Sequence, residues 1–105
     1  MKIQGFSFSA IKAGVRYPDR LDLGLIYSDK PCVTAGVFTT SQVKAAPVIV
    51  DIERLQGGLA QAILVNSGNA NACTGDKGMQ TAKAASIMLS EKLAIADELV
   101  KISST

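Results

Sequence analysis

Few side chains in this sequence could carry out chemistry, and histidine, the commonest general base, is absent. Catalysis would therefore need a lysine, a carboxylate, a hydroxyl or an α-amine. Lys44 stands alone among small residues and is interpreted as solvated, with contact to a carboxylate as the alternative. Asp51 and Glu53 lie two positions apart and are not interpreted as an acid/base pair. The hydroxyls of residues 103–105 follow a predicted strand without a neighbouring base, and by themselves they indicate a frayed terminus.

The two cysteines, Cys32 and Cys73, are far apart in the sequence and form no CxxC pair. Without histidine, this spacing excludes the usual zinc patterns and a Cys-His nucleophile. Both are interpreted as reduced, buried thiols of a cytoplasmic protein, because a free cysteine packs like a small hydrophobic residue. We therefore expect neither a metal nor a cofactor.

Composition sets the class of protein. The 105 residues carry a formal charge of +2, and 48% of them are hydrophobic while 19% are charged. This length and this apolar fraction predict one small folded domain and not a disordered chain. Basic residues form no run, so nucleic acid and acidic membrane surfaces are poor partners. The N-terminus lacks the apolar stretch of a secretory signal, and no segment approaches the roughly 20 apolar residues of a membrane span. We expect a cytoplasmic location.

Residues 66–75 form an unusual stretch, with three asparagines and two glycines in ten positions. Such residues tolerate left-handed backbone, which predicts a structured loop running into a helix that Thr74 or Asp76 would cap. A helix N-terminus can hold an anion, but residues 74–78 have the wrong order for a phosphate-binding loop. One interpretation is a loop whose asparagines satisfy its own backbone. Another is a non-enzymatic small-anion-binding or interaction module.

The periodicity of apolar residues predicts several strands and one long helix. The predicted strands cover residues 3–8, 21–27, 32–38, 48–50, 61–65 and 99–103. A turn at 28–31 is expected to join the second and third strands into a hairpin. A helical turn is predicted at 51–55 and a long helix at 78–93. This order is typical of an α+β fold, a mixed or mainly antiparallel sheet with the helix packed on one face. The strand at 61–65 is apolar on both sides and is expected to be central. One helix covers one face, so further sequence should complete a larger layered α/β sandwich.

Two segments, GVFTTSQVKAAPV at 36–48 and VNSGNANACTG at 65–75, resemble the ornithine acetyltransferase (glutamate N-acetyltransferase) family of arginine biosynthesis. The resemblance extends over the whole chain and holds the two motifs in the family's order. It implies that residues 1–105 are a single incomplete domain, the N-terminal part of the family's α chain.

The resemblance implies an enzyme made as one precursor that cuts itself into two chains, in an α2β2 assembly. The new N-terminal threonine of the β chain would accept an acetyl group from N-acetylornithine and pass it to glutamate, with acetyl-CoA as a candidate second donor. An N-terminal threonine can use its own α-amine as base, which suits the missing histidine. The family's nucleophile lies downstream of these residues, so this chain alone is expected to be inactive without the remainder of the α chain and the β chain.

One catalytic position carries over by resemblance. The family has a Ser-Thr-Gly triplet after this last strand, in which the threonine hydroxyl and the glycine N–H form the oxyanion hole. Ser104 and Thr105 match the first two members. Thr105 is therefore expected to be an oxyanion donor, while the glycine lies outside this chain. No substrate-binding residue is assigned.

Overall fold

In the computed structural model, which describes residues 2–14, 16, 18–71 and 75–105, a four-stranded sheet lies against two α-helices. The elements in chain order are β1 (Phe6–Ile11), β2 (Leu23–Val33), α1 (Ala46–Arg54), β3 (Leu59–Asn66), α2 (Gly75–Leu93) and β4 (Val100–Ser104). Single 3₁₀ turns at Leu55–Gly57 and Asp97–Leu99 precede β3 and β4. This α+β architecture confirms the expected fold class. The helical turn predicted at 51–55 is part of a longer helix, α1, that begins at Ala46.

The sheet runs in the order β1-β2-β3-β4. β1 pairs antiparallel with β2 and β2 with β3, whereas β3 and β4 are parallel. The sheet is thus mixed and mainly antiparallel, and β3 is flanked on both sides, which confirms that residues 61–65 form a central strand. The parallel pair brings the carboxyl ends of β3 and β4 to the same edge of the sheet.

The predicted hairpin between residues 21–27 and 32–38 is wrong. β2 continues through the expected turn at 28–31 to Val33, and its register with β3 shifts between Tyr27 and Cys32. Ser28 is buried in this irregularity and its hydroxyl donates to the carbonyl oxygen of Lys30 at 2.7 Å. The turn-forming residues therefore make a local bulge inside one long strand, where extra length is absorbed without reversing the chain.

The predicted strand at 48–50 is also wrong, because these residues belong to α1. Pro47 occupies the first turn of the helix, where its missing N–H costs nothing. Val50 is 1% exposed and packs with Ala82 of α2 and Ile102 of β4. Burial of Val50 in this core decides the conformation over the weak β preference of a β-branched residue.

The long helix is confirmed and begins three residues earlier than predicted, at Gly75. Ala82 and Ser86 of the expected stripe are buried, and Met79 is packed against the core beside Ala82. The Ser86 hydroxyl donates to the carbonyl of Lys83 at 2.9 Å, so its burial leaves no unpaired donor. Ala94, at a φ of 56°, ends the helix in left-handed conformation.

α1 closes the outer edge of β4. The Asp51 carboxylate accepts the Ile102 N–H at 2.9 Å, and the Arg54 guanidinium donates to the Val100 carbonyl at 3.1 Å. Arg54 also pairs with the Asp97 carboxylate at 3.2 Å. Asp51 and Glu53 thus lie on a helix, in agreement with the helical turn predicted at 51–55. The two α1 side chains supply partners that a fifth strand would otherwise provide.

The buried Asp51 carboxyl predicts a pH dependence of stability. Desolvation raises its pKa above the ordinary value, although the Ile102 N–H, Lys101 and Arg54 favour the ionised form. A raised folded-state pKa contributes stability that is present below the unfolded pKa and is lost as pH rises through the folded pKa. We expect Asp51→Asn, which keeps an acceptor for Ile102, to gain melting temperature relative to wild type as pH rises above about 4.

The matched control for this prediction is Glu53→Gln in the full-length protein, because Glu53 is an exposed carboxyl on the same helix. Its melting temperature should differ little from wild type across the same pH series. A difference between Asp51→Asn and wild type that shrinks as pH rises would contradict the assignment.

The two faces of the sheet differ. Opposite residues of paired strands share a face, so Phe8, Ile26, Ile63 and Lys101 form one row across all four strands. The helices cover the other side, where Val100 and Ile102 are buried. Phe8, Ile26 and Ile63 are 49%, 36% and 36% exposed. We name the side that carries this row the open face.

Lys101 ends the row on the open face and is 5% exposed. Its ammonium donates to the carbonyl oxygens of Leu59 at 3.2 Å and Glu98 at 2.5 Å. Burial lowers the pKa of Lys101 from its ordinary value, against the attraction of Asp51. Because the Lys101 ammonium is bound by backbone carbonyls and buried, it adds little charge to the surface. The apolar row of Phe8, Ile26 and Ile63 is therefore the main feature of the open face.

Candidate functional site

A cavity of about 490 Å³ lies between α2 and the helix-covered side of the sheet, at the carboxyl ends of the parallel pair β3 and β4. Its floor is apolar, formed by Leu23, Leu64 and Ile102. Its polar lining comes from the loop after β3, the first turns of α2 and the end of β4, namely Asn66, Asn69, Asn71, Lys77, Thr81 and Ser104. The carboxyl edge of parallel strands is where α/β sheets usually bind ligands.

Thr105, the predicted oxyanion donor, follows β4 directly and adjoins this cavity through Ser104. Its backbone N–H donates to the carbonyl oxygen of Asn66 at 3.0 Å, which extends the parallel pairing by one residue. The residue is exposed, and no hydrogen bond engages its hydroxyl within the part of the chain that the structure describes.

The Asn/Gly loop is held by its own asparagines. Asn66 Nδ2 donates to the Asn69 carbonyl at 3.0 Å, and Asn69 Oδ1 accepts the Asn71 N–H at 3.1 Å. Asn71 has a φ of 53°, the left-handed conformation that asparagine tolerates, and its Nδ2 donates to the Gly78 carbonyl at 3.0 Å. These contacts favour the interpretation of a self-satisfying loop and weaken the anion-binding alternative. Ala72, Cys73 and Thr74 lie outside the described residues, with the predicted Thr74 cap and Cys73 thiol.

The other candidate side chains do not meet at this cavity. Lys44 donates to the carbonyl of Ser41 at 2.8 Å. Asp51 contacts the edge of β4, and Glu53 is exposed. Cys32 is a half-buried free thiol within hydrogen-bonding distance of the Ser28 hydroxyl, at 3.2 Å. Each of these groups has a structural role or faces solvent, so the site reduces to the end of β4 and the loop beside it.

Sequence reasoning missed one connection in the site. The Ser104 hydroxyl donates to Asn66 Oδ1 at 2.5 Å, which links two residues 38 positions apart. Asn66 had been noted only as the first residue of the loop, and Ser104 only as part of the triplet. The parallel register that places them side by side has no local signal in the sequence.

Across residues 2–14, 16, 18–71 and 75–105, no group of three Cys, Asp or Glu side chains is arranged to hold a metal ion. Neither of the two described α-helices is long and apolar enough to span a bilayer.

Comparison with solved structures finds the same fold. One is the arginine biosynthesis bifunctional protein ArgJ of Bacillus halodurans, with a TM-score of 0.92 and 40% identity over 97% of this chain and 53% of that one. Another is the ornithine acetyltransferase of Mycobacterium tuberculosis complexed with ornithine, with a TM-score of 0.93 and 36% identity over 97% of this chain and 56% of that one.

Sequence comparison gives the same family. Proteins named arginine biosynthesis bifunctional protein ArgJ are 63% identical in Desulfotalea psychrophila and 49% identical in Geobacter sulfurreducens, over all of this chain. The chain spans 27% of the length of each. The model of the ArgJ family matches residues 7–105. With nearly every residue matched and the fold shared with solved ArgJ structures, this chain belongs to the ArgJ family of arginine biosynthesis enzymes.

Proposed function

We propose that the full-length protein moves an acetyl group from N-acetylornithine to glutamate, with acetyl-CoA as a further acetyl donor to glutamate. The observation that carries this proposal is the 36% identity and TM-score of 0.93 to an ornithine acetyltransferase complexed with ornithine. The bifunctional name of the 63% identical relative supports the second donor. We include a cytoplasmic location and the absence of a cofactor in the proposal.

The proposed mechanism uses an N-terminal threonine released when the precursor cuts itself. Its α-amine takes the proton from its hydroxyl, whose oxygen attacks the acetyl carbonyl of N-acetylornithine. The tetrahedral intermediate collapses as the α-ammonium returns its proton to the departing nitrogen, which releases ornithine and leaves an acetyl-threonine ester. The amine of glutamate then attacks this ester and loses a proton to the α-amine, and the threonine oxygen leaves with that proton. The absence of histidine from these 105 residues agrees with this choice of base.

Thr105 would stabilise the charge that develops on the acetyl oxygen. The residue follows Ser104, which lines a cavity large enough for an amino-acid side chain. A hydroxyl aimed at the oxyanion acts mainly in the transition state, because the ground-state carbonyl carries less charge. The donor is therefore expected to act on kcat.

We include in the proposal that the open face is covered by the remainder of the same precursor, in an α2β2 assembly. The row of Phe8, Ile26 and Ile63 is apolar and at least 36% exposed in this chain. Monomeric proteins seldom leave a large contiguous apolar patch in water. The matched segment is 27% of the length of the relative, and the rest of that sequence is enough to supply a covering layer.

Full-length protein incubated with N-acetylornithine and glutamate should release ornithine and N-acetylglutamate, and mass spectrometry of the quenched enzyme should find an acetylated N-terminal threonine. A polypeptide of these 105 residues, assayed in parallel, should transfer nothing because it contains no N-terminal threonine nucleophile. The proposal would be rejected if the full-length protein formed no acetyl-threonine, or if the 105-residue polypeptide turned over substrate by itself.

A further inference from the structure

The junction between the ends of β3 and β4 is held by two neighbouring hydrogen bonds. The Thr105 N–H donates to the Asn66 carbonyl at 3.0 Å, and the Ser104 hydroxyl donates to Asn66 Oδ1 at 2.5 Å. One residue of β3 therefore binds two consecutive residues of β4 with its main chain and its side chain. Both bonds fix the backbone immediately before the Thr105 side chain.

Asn66 is itself fixed in place. Its side-chain Nδ2 donates to the Asn69 carbonyl at 3.0 Å, so the amide has a partner at each end. The loop beyond it is tied to both helices, since the Asn71 carbonyl accepts the Ala46 N–H at 3.2 Å and Asn71 Nδ2 donates to the Gly78 carbonyl. The orientation of the Asn66 amide is thus set by the fold before any ligand arrives.

We propose that Asn66 is a positioning residue for the reaction, which holds the Thr105 hydroxyl in the oxyanion hole through Ser104. This inference rests on the proposed function, in which Thr105 is the oxyanion donor. An oxyanion donor works only within about 2.7–3.1 Å of the developing charge. The Ser104 side-chain bond adds a second attachment to Asn66, one residue before the main-chain bond of Thr105.

The test uses mature, full-length enzyme with two variants that each delete the same hydrogen bond. Asn66→Ala and Ser104→Ala should each lower kcat by about tenfold, since a misplacement of roughly 1 Å can cost up to about 100-fold. KM for N-acetylornithine should stay within about twofold, because the interaction acts on the transition state. Ser104→Thr keeps the hydroxyl and should restore kcat to within about twofold of wild type.

Ser103→Ala is the matched control. It removes the same hydroxyl one position earlier on β4, on the open face and away from Asn66. Its kcat should equal that of wild type. If Asn66→Ala does not mature, Ser104→Ala carries the test, because it deletes a single oxygen atom and leaves the loop unchanged.

A double-mutant cycle that combines Asn66→Ala with Thr105→Ala separates this inference from the proposed function. If Asn66 acts through Thr105, then Asn66→Ala should lower kcat no further in a Thr105→Ala background. An equal loss in both backgrounds, or a change confined to KM, would overturn the positioning role while leaving Thr105 as the donor. An unchanged kcat in Thr105→Ala itself would instead overturn the proposed role of Thr105.

Discussion

Thr105→Ala in mature, full-length enzyme should lower kcat by about 10² to 10³, close to 3 kcal/mol of transition-state stabilisation. The exposed hydroxyl at the end of β4 is proposed to donate to the oxyanion only as charge develops. Substrate affinity should change far less, because the ground-state carbonyl gains little from this donor. Steady-state kinetics with N-acetylornithine and glutamate give both quantities.

Thr105→Ser is the matched variant because it keeps the hydroxyl and removes only the methyl group. It should retain most of the wild-type kcat. If Thr105 merely ends the strand, its loss would cost about 1 kcal/mol of stability and leave kcat unchanged. Correctly cleaved Thr105→Ala enzyme with wild-type kcat would therefore remove the catalytic role from this residue.

Ile26→Asp should destabilise the full-length protein by about 3–5 kcal/mol, the usual cost of leaving a buried charge without a partner. Ile26 lies in the middle of the apolar row on the open face, between Phe8 and Ile63. If the remainder of the precursor covers this face, the new carboxylate loses its water. Thermal melting and the yield of mature protein would report the loss.

The control is Met88→Asp on α2, where the side chain is 61% exposed and Lys92 follows one turn later. A carboxylate there stays hydrated and gains a favourable neighbour, so stability should change by less than about 0.5 kcal/mol. Equal, small effects at Ile26 and Met88 would show that the open face remains in water in the complete protein. The proposal that the remainder of the precursor covers the open face would then be rejected.

The sequence identified the elements whose patterns are strong and long. The stripe containing Ala82 and Ser86 predicted α2, and the apolar run at 61–65 predicted the central strand. Both depend on periodicity over many residues, which local context seldom reverses. The expectation that one side of the sheet needs further cover also followed from the apolar character of β3 on both faces.

The failures have physical causes that a local pattern does not contain. Residues 28–31 carry turn-forming side chains, yet pairing with β3 on both sides of them keeps β2 extended around a bulge. Val50 prefers strands by itself, but its contact with Ala82 and Ile102, each distant in sequence, stabilises a helix. The Asn66 to Ser104 bond depends on the parallel register of β3 and β4, which sequence reasoning did not resolve.

The candidate site was predicted mainly from the resemblance to the ornithine acetyltransferase family, and less from the pattern of residues in the sequence. Without this resemblance, the terminal hydroxyls indicated a frayed end, and Thr105 had no assigned role. The structure adds the surroundings of Thr105, namely the Asn66 carbonyl that accepts its N–H and the neighbouring Ser104, which lines the cavity. Its action as an oxyanion donor stays a prediction that kinetics must test.

The edge contacts between α1 and β4 have a consequence for synthesis on the ribosome. β1, β2 and β3 pair with neighbours in sequence and can assemble once residue 66 has emerged. Asp51 and Arg54 must wait for partners 51 and 46 residues later. At about 5–20 residues per second, the roughly 40 residues between the ends of β3 and β4 take on the order of 2–8 seconds. During that interval the helices are not yet docked on β4, and one face of the nascent sheet stays exposed. A chaperone that binds exposed apolar surface would therefore protect the nascent chain most during this time.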